Sequence, residues 1–172
     1  MGMLIRQLFA MLALPGVVAV VIPVWIARSY GVALTMPGTL GATLGLGIGV
    51  LFLAVGLTLF SASLYCFWSK GRGTLAPWDP PRHFVVEGPY RFVRNPMISG
   101  VIFVLCGEAA ALQSLPHAVW AGAFLFNNLI YIPFVEEPQL AARFGLPYRE
   151  YTRQVRRFVP RLTPWSPQAP GR

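Results

Sequence analysis

The feature that most limits the possible folds is a long apolar run over Thr39–Trp68, which contains no charged residue. As an α-helix this run would be about 45 Å long, whereas the hydrocarbon core of a bilayer is about 30 Å thick. The helix would therefore tilt or project beyond the membrane. Three more apolar runs occupy Leu8–Ile26, Met97–Leu112 and Pro116–Val135. The pattern predicts an all-α polytopic membrane protein with about four transmembrane helices, the last two forming an antiparallel hairpin.

The composition agrees with this fold class, because the chain lacks the polar surface of a soluble protein. Only 12% of the residues are charged and 55% are hydrophobic, whereas soluble domains carry about 25% charged residues. A soluble protein that buries every apolar run is the disfavoured alternative. The two cysteines lie within apolar runs and the two histidines are far apart. We therefore predict neither a disulfide framework nor a bound metal.

The basic residues are concentrated in two segments, which sets the expected orientation. Twelve of the fourteen Lys and Arg residues lie in the loop 69–95 or in the tail after Glu137. The positive-inside rule places both segments in the cytoplasm, and four crossings then leave both termini there. Anionic lipid explains charges that border a membrane better than nucleic acid does, so we predict membrane lipids and no nucleic acid as partners. The preference for Arg over Lys suggests a bacterial inner membrane.

Three glycines recur at every fourth residue near the start of the longest run: Gly41, Gly45 and Gly49. Small residues at this spacing let another helix approach closely. We favour packing within the chain, and a homodimer is the alternative that the pattern leaves open.

The tail alternates between apolar and basic residues at helical spacing. Tyr148, Tyr151, Val155 and Phe158 share one predicted face, and arginines occupy the other. This pattern predicts a cytoplasmic amphipathic helix that lies on a membrane or on the rest of the protein.

Two adjacent carboxylates, Glu136 and Glu137, end the fourth apolar run and are the first candidates for chemistry. We expect them at the C-terminal end of a helix, where negative charge opposes the helix dipole and needs a compensating arginine or cationic ligand. Arg91 and Arg94 precede the third run, although the positive-inside rule alone would explain either of them. Glu108, within the third run, is interpreted as a helix-packing residue outside the site.

Three blocks of this sequence together resemble a known superfamily. The blocks are Gly88–Met97, Glu136–Leu140 and the run of Phe, Gly, Tyr, Val and Arg residues from Phe144 to Pro160. They resemble the integral-membrane methyltransferases that include isoprenylcysteine carboxyl methyltransferase and the phospholipid N-methyltransferases. The resemblance covers residues 69–162, and the helices before it match only as generic membrane spans.

The resemblance also suggests how the chain is organised. We expect one membrane domain over 1–172. Residues 1–68 would supply two N-terminal transmembrane helices, 69–162 the catalytic part, and 163–172 an irregular tail.

The activity that the resemblance implies is methyl transfer from S-adenosylmethionine to a lipophilic or small acceptor, a carboxylate, thiol or amine, at the cytoplasmic membrane face. Tyr90 and apolar neighbours would hold the adenosine, and Glu136 would meet a polar or cationic part of the cofactor. The residues that the resemblance assigns to cofactor binding are Arg82, His83, Phe84, Val85, Tyr90, Asn95, Pro96, Met97, Ile98 and Glu136.

Three residues are candidates for catalysis through orientation of the acceptor: Arg91, Arg94 and Glu137. Two positions depart from the carboxyl methyltransferase pattern. Ile98 stands where an aromatic residue is usual, and Ile132 stands where an acceptor-linked Arg precedes the glutamates by one turn. Both departures point away from a prenylcysteine carboxylate as the acceptor.

Two other function classes compete with methyl transfer. A non-catalytic membrane scaffold would use the basic tail to bind anionic lipid or a partner. A reductase on a related scaffold would bind a nicotinamide cofactor, which the short cytoplasmic loops disfavour.

Overall fold

The computed structural model describes residues 14–34, 38–70, 84 and 86–166, and these residues form helices and loops without a β-strand. Helix α1 runs over Leu14–Ser29, with a π-helical turn at Val17–Val21. The other helices are α2 (Leu40–Lys70), α3 (Pro96–Ala111), α4 (Leu115–Tyr131), α5 (Glu137–Phe144) and α6 (Leu146–Gln154). A π-helical turn at Ile132–Glu136 joins α4 to α5, and a 3-10 turn at Gly88–Arg91 precedes α3.

Among the described residues, two helical segments are long and apolar enough to cross a membrane, namely Leu40–Cys66 and Leu115–Phe144. Only 11% and 17% of their most apolar windows are buried inside the fold. The apolar side chains on their outer faces therefore need a non-aqueous surrounding. The all-α prediction is confirmed. Helices α1 and α3 are shorter apolar helices, and the part of the first predicted run before Leu14 lies outside the described residues, so the count of four crossings stays a prediction.

Helices α2 and α3 pack with their backbones in direct contact. A Cβ atom added to Gly49 would lie 2.7 Å from the carbonyl oxygen of Gly107, and one added to Gly100 would lie 2.8 Å from the amide nitrogen of Phe60. Neither position has room for a methyl group. Glycine is thus required here for close approach, and the prediction that these glycines pack within the chain is confirmed at Gly49.

The other two glycines of the predicted motif differ from Gly49. A Cβ atom on Gly45 would lie 2.6 Å from Nε2 of Gln113, a residue of the α3–α4 turn. The same Nε2 donates a hydrogen bond to the carbonyl oxygen of Gly41 at 2.8 Å. A Cβ atom on Gly41 would meet none of the described atoms within 4 Å. The packing prediction is therefore confirmed at Gly45 and does not extend to Gly41.

Helix α1 is held against α4 by polar contacts. In the π-helical register, the amide of residue 23 would bond to the carbonyl of Val18, but Pro23 has no N–H group. The indole Nε1 of Trp120 donates to that Val18 carbonyl instead, at 3.0 Å. Nε2 of buried His117 lies 3.1 Å from the Pro23 carbonyl oxygen, to which it donates, and Nδ1 lies 2.7 Å from the Ser114 hydroxyl oxygen.

The helix that carries the two adjacent carboxylates does not end at them. It continues through the π-helical turn into α5 and stops at Phe144, where Gly145 adopts a positive φ of 62°. The prediction that Glu136 and Glu137 terminate a helix was wrong. Prolines 133 and 138 lie at the start of the π-helical turn and of α5, where the change of register accommodates their missing N–H groups.

The amphipathic tail helix is shorter than its pattern suggests. Helix α6 buries Tyr148 and Tyr151 and exposes Arg149 and Arg153, but it ends at Gln154, and Val155 is already extended. Phe158 of the predicted apolar face therefore lies beyond the helix. Its contact with a membrane stays a prediction.

The chain after α6 folds back over the loop before α3. Four main-chain hydrogen bonds connect residues 91–95 to residues 156–165 at 2.9–3.2 Å. We call residues 155–166 the C-terminal strap. Its main-chain pairing fixes the loop whose side chains form the candidate site.

Candidate functional site

The site is built around the 3-10 turn Gly88–Arg91, which lies against the C-terminal end of α2. Gly88 has a positive φ of 52°, and a Cβ atom there would lie 2.7 Å from Sγ of Cys66. Both the backbone conformation and the close approach favour glycine at this position. The turn thereby directs Tyr90 into the protein.

Tyr90 is half-buried and lies near one of the predicted carboxylates, which is half-buried as well. The Tyr151 hydroxyl donates to the Tyr90 carbonyl at 2.6 Å. Burial raises the pKa of the Tyr90 phenol well above its usual range, and the nearby Tyr151, Cys66 and Glu136 raise it further. The structure thus brings Tyr90 and Glu136, two of the predicted cofactor residues, into the same electrostatic neighbourhood.

An aromatic cluster lies beside this pair. The Phe84 ring is 5.2 Å from Tyr151, 5.7 Å from Tyr148 and 5.5 Å from Phe144, measured between ring centroids. Trp165 of the C-terminal strap contacts Tyr151 at 5.5 Å. Of the predicted stretch 82–85, only Phe84 is among the described residues, and Arg82, His83 and Val85 lie outside them.

Glu137 is paired with two arginines. The Arg157 guanidinium donates from Nε to Oε1 at 2.7 Å and from Nη2 to Oε2 at 3.0 Å. Nη1 of Arg94 lies 3.0 Å from the same Oε1. The hydrogen bond with Glu137 raises the pKa of Arg157. The predicted need for an arginine partner is therefore met at Glu137, although the helix does not end there.

The two loop arginines have different surroundings. Arg94 is almost fully buried next to Glu137, with a side chain that is 10% exposed. Arg91 donates from Nε to the Trp165 carbonyl at 2.9 Å and from Nη2 to the Ser166 hydroxyl. The structure thus brings Arg94 and Glu137 together and directs Arg91 to the C-terminal strap, beside an open depression of about 400 Å³.

The start of α3 contributes the remaining predicted cofactor residues. Pro96 is buried, and Met97 and Ile98 are half-buried. The Asn95 amide nitrogen Nδ2 lies 3.5 Å from the Arg157 carbonyl, and the Asn95 main-chain N–H donates to the same oxygen at 3.2 Å. Asn95 therefore contacts the strap, and Glu136 is the last residue of the π-helical turn Ile132–Glu136.

Four residues of this arrangement were not predicted as site residues: Tyr148, Tyr151, Arg157 and Trp165. The first three belong to the recurrent tail pattern, so their spacing was a usable signal. Trp165 carried no such signal, because it reaches the site through strap contacts with residues more than seventy positions earlier.

An apolar groove of about 500 Å³ opens on the outer face of α2 next to Pro89. It is lined by α2 side chains between Ala54 and Ala62. The groove belongs to a candidate membrane span and ends at the loop that carries Tyr90.

A family model described as phospholipid methyltransferase matches residues 42–146 of the chain. The chain belongs to the phospholipid methyltransferase family. The predicted superfamily resemblance is therefore confirmed. The match begins within α2, before residue 69, where the predicted resemblance starts. It ends before Tyr148, Tyr151 and Arg157.

One curated relative is methanethiol S-methyltransferase 2 of Bradyrhizobium diazoefficiens. It is 37% identical over 73 residues, which are 42% of this chain and 27% of the relative. The matched segment thus spans little more than a quarter of the relative's length. No solved structure matches the chain significantly. Family membership and the apolar helices together identify a membrane protein of a methyltransferase family.

Proposed function

We propose that this protein transfers a methyl group from S-adenosylmethionine to a small or lipophilic acceptor at the cytoplasmic face of a membrane. Family membership supports membrane methyl transfer in general. The observation that carries the proposal is the aromatic cluster of Phe84, Tyr148 and Tyr151, which is hydrogen-bonded to the Tyr90 carbonyl and lies next to the Arg94–Glu137 ion pair.

The residues present suit this cofactor. Adenosine needs aromatic and apolar surface, which Phe84 and Tyr90 provide. An ammonium or sulfonium group needs negative charge, which Glu136 provides. The site also contains a buried donor, Nε of Arg94, that has no hydrogen-bond partner among the described residues. Buried polar groups are normally satisfied, so an orphaned donor supports a site that binds a polar ligand.

When bound, S-adenosylmethionine supplies a methyl group already attached to a good leaving group. The work left to the chain is to align the acceptor and to exclude water. Burial raises the pKa of Tyr148 to about 12, so its phenol stays neutral at physiological pH and can donate a hydrogen bond. Arg94 and Glu137 adjoin that phenol, and we propose that this pair, rather than Arg91, faces the reacting groups.

We further propose that the acceptor enters from the bilayer along the apolar groove beside Pro89. The groove is formed by α2 and leads to the loop that carries Tyr90, which supports this route. Among carboxylates, thiols and amines, a thiol has specific support, because a relative carries the name of a methanethiol methyltransferase. A thiolate needs no base once it has ionised, whereas an amine must first lose a proton.

The topology that fits this proposal has four crossings, with both termini in the cytoplasm of a bacterium. The loop 84–95 and α6 then lie on the same side as the cofactor. The basic residues of both segments support this orientation. Reporter fusions after residues 34, 70, 113 and 166 test the topology. The proposal predicts cytoplasmic reporter activity at 70 and 166 and none at 34 and 113.

Transfer of labelled methyl groups tests the activity. Purified protein in detergent is incubated with methyl-labelled S-adenosylmethionine and either methanethiol or a bacterial lipid extract. We expect label in a volatile thioether or in a lipid. Folded protein that labels neither acceptor and does not bind the cofactor would contradict the proposal.

A lipid-binding scaffold is the second candidate, and one observation favours it. Leu146 is 79% exposed and shares the outer face of α6 with the exposed Arg149 and Arg153. A leucine flanked by arginines suits an anionic membrane surface. In nanodiscs with and without phosphatidylglycerol, this candidate predicts slower hydrogen exchange of α6 only with the anionic lipid, together with an empty cofactor site.

A further inference from the structure

The C-terminal strap has an inner side that packs on the protein and an outer side with apolar side chains. On the inner side, Val155 is buried and the Trp165 ring packs against Tyr151. On the outer side, Leu162 is 100% exposed and Val159 is 55% exposed. Single exposed apolar residues are common on protein surfaces. The position and the charge of the strap therefore decide what these two side chains contact.

The strap lies where apolar helices of this protein begin and end. Its main-chain partners are residues 91–95, and Pro96, directly after them, begins the apolar helix α3. The turn before these residues lies against Cys66, at which the candidate span Leu40–Cys66 ends. In a membrane protein, the ends of apolar helices lie near the lipid headgroups. The outer side of the strap is therefore within reach of the bilayer interface.

The surface around the strap is strongly basic. Residues 146–166 contain five arginines and a single carboxylate, Glu150. Arg153 and Arg156 are exposed at the end of α6 and the beginning of the strap. Exposed arginines beside apolar side chains suit an anionic bilayer, because the cations attract lipid phosphates while the apolar groups enter the interface. The charge and the position of the strap thus favour the same partner.

We propose that the C-terminal strap docks on an anionic bilayer surface through Val159 and Leu162, and that this contact holds the strap on the loop before α3. Four main-chain hydrogen bonds of 2.9–3.2 Å join the strap to that loop. A lipid contact on the outer side of the strap therefore also stabilises the loop on its inner side. Anionic lipid is then a regulator of the loop that carries the candidate site.

Hydrogen exchange of the full-length protein in nanodiscs tests this inference. Nanodiscs of phosphatidylcholine alone are compared with nanodiscs that also contain phosphatidylglycerol. The amides to follow are those of Arg161 and Trp165, which donate to carbonyls of the loop. We expect both amides to exchange at least fivefold more slowly with the anionic lipid. High salt should reduce this difference, because it screens the exposed arginines.

Three substitutions separate the contact of the strap from other lipid contacts. Leu162→Gln should reduce the lipid-dependent slowing to less than twofold, and a fully exposed side chain can be replaced without loss of packing. Thr163→Gln, at the exposed neighbouring position, should retain the slowing. Leu146→Gln should also retain it in the strap, because Leu146 belongs to the outer face of α6 that the scaffold candidate uses.

Fluorescence quenching by brominated phospholipid tests the contact directly. Leu162→Trp places an indole on the outer side of the strap, and Thr163→Trp is the matched control. The emission that each variant adds to that of the wild type is measured in nanodiscs with and without brominated lipid. We expect the quenched fraction of the added emission to be at least twice as large for Leu162→Trp as for Thr163→Trp.

Several outcomes would overturn the inference. They are equal exchange of the wild type in the two kinds of nanodisc, an undiminished lipid effect in Leu162→Gln, and equal quenching of the two Trp variants. Protection that follows the number of chains per nanodisc, rather than the lipid, would assign this surface to a second copy of the chain and would also overturn it. No measurement involves a cofactor or a methyl acceptor, so the outcome is independent of the proposed function.

Discussion

The contact between α2 and α3 predicts that one glycine in the hairpin cannot accept a methyl group. A Cβ atom on Gly107 would lie 2.9 Å from the Gly49 carbonyl oxygen and 2.9 Å from the backbone nitrogen of Leu53. Both are main-chain atoms of α2, so no side-chain rotation can relieve the contact. Overpacking of this kind costs about 1–3 kcal/mol.

Gly122 provides the matched control for Gly107→Ala. It also lies within a helix, but a Cβ atom there would meet none of the described atoms within 4 Å. Both substitutions gain helix propensity, up to about 1 kcal/mol for Gly to Ala. The difference between the two variants therefore isolates the clash, and we expect Gly107→Ala to be less stable than Gly122→Ala by about 1–3 kcal/mol.

Thermal unfolding in a mild detergent, followed by circular dichroism and by Trp fluorescence, measures this difference. We expect a lower midpoint for Gly107→Ala than for the wild type or Gly122→Ala, with every protein monomeric by light scattering. Equal midpoints for the two alanine variants would refute the close α2–α3 packing. A loss of oligomeric mass in Gly107→Ala alone would indicate that the glycine face packs between chains instead.

Two further predictions concern the polar contacts of α1 and the buried tyrosines. Trp120→Phe keeps an aromatic ring but leaves the Val18 carbonyl without its hydrogen-bond donor. We therefore expect a loss of about 0.5–1.5 kcal/mol in the free energy of unfolding and faster hydrogen exchange of the α1 amides. An unchanged exchange rate would contradict the role of Trp120. Burial raises the pKa of Tyr148 to about 12, so its contribution to stability is complete below the ordinary tyrosine pKa of about 10 and is lost as the pH rises toward 12. Ultraviolet titration checks this, because Tyr148→Phe should remove a late-ionising phenol; a step removed near pH 10 would contradict the burial.

Much of the helical framework follows from the sequence, because long apolar runs have few alternatives to a membrane helix. The run from Thr39 appears as α2. Pro96 begins α3, because a residue without an N–H group is well suited to the first position of a helix. The same local reasoning failed at Glu136 and Glu137. There the end of the apolar run suggested a helix end, but the helix continued by changing to the wider π-helical register.

The site was less accessible from the sequence than the fold. The loop before α3 and the glutamate pair were identified because their residue types stand out against apolar helices. The different surroundings of Arg91 and Arg94 could not be predicted in this way, because those surroundings depend on the C-terminal strap. Its main-chain bonds join segments that are more than sixty residues apart, and hydrogen bonds of this kind leave no periodic signature in the sequence.

The central claim is that the site around Tyr90, Glu136 and the aromatic cluster binds S-adenosylmethionine. Calorimetric titration of the full chain in detergent, comparing the wild type with Glu136→Gln, tests it most directly, and Glu150→Gln on the exposed face of α6 is the control. The account predicts saturable binding to the wild type and to Glu150→Gln, with affinity at least tenfold weaker in Glu136→Gln. Folded wild-type protein without measurable binding, or equal affinity in Glu136→Gln, would contradict it.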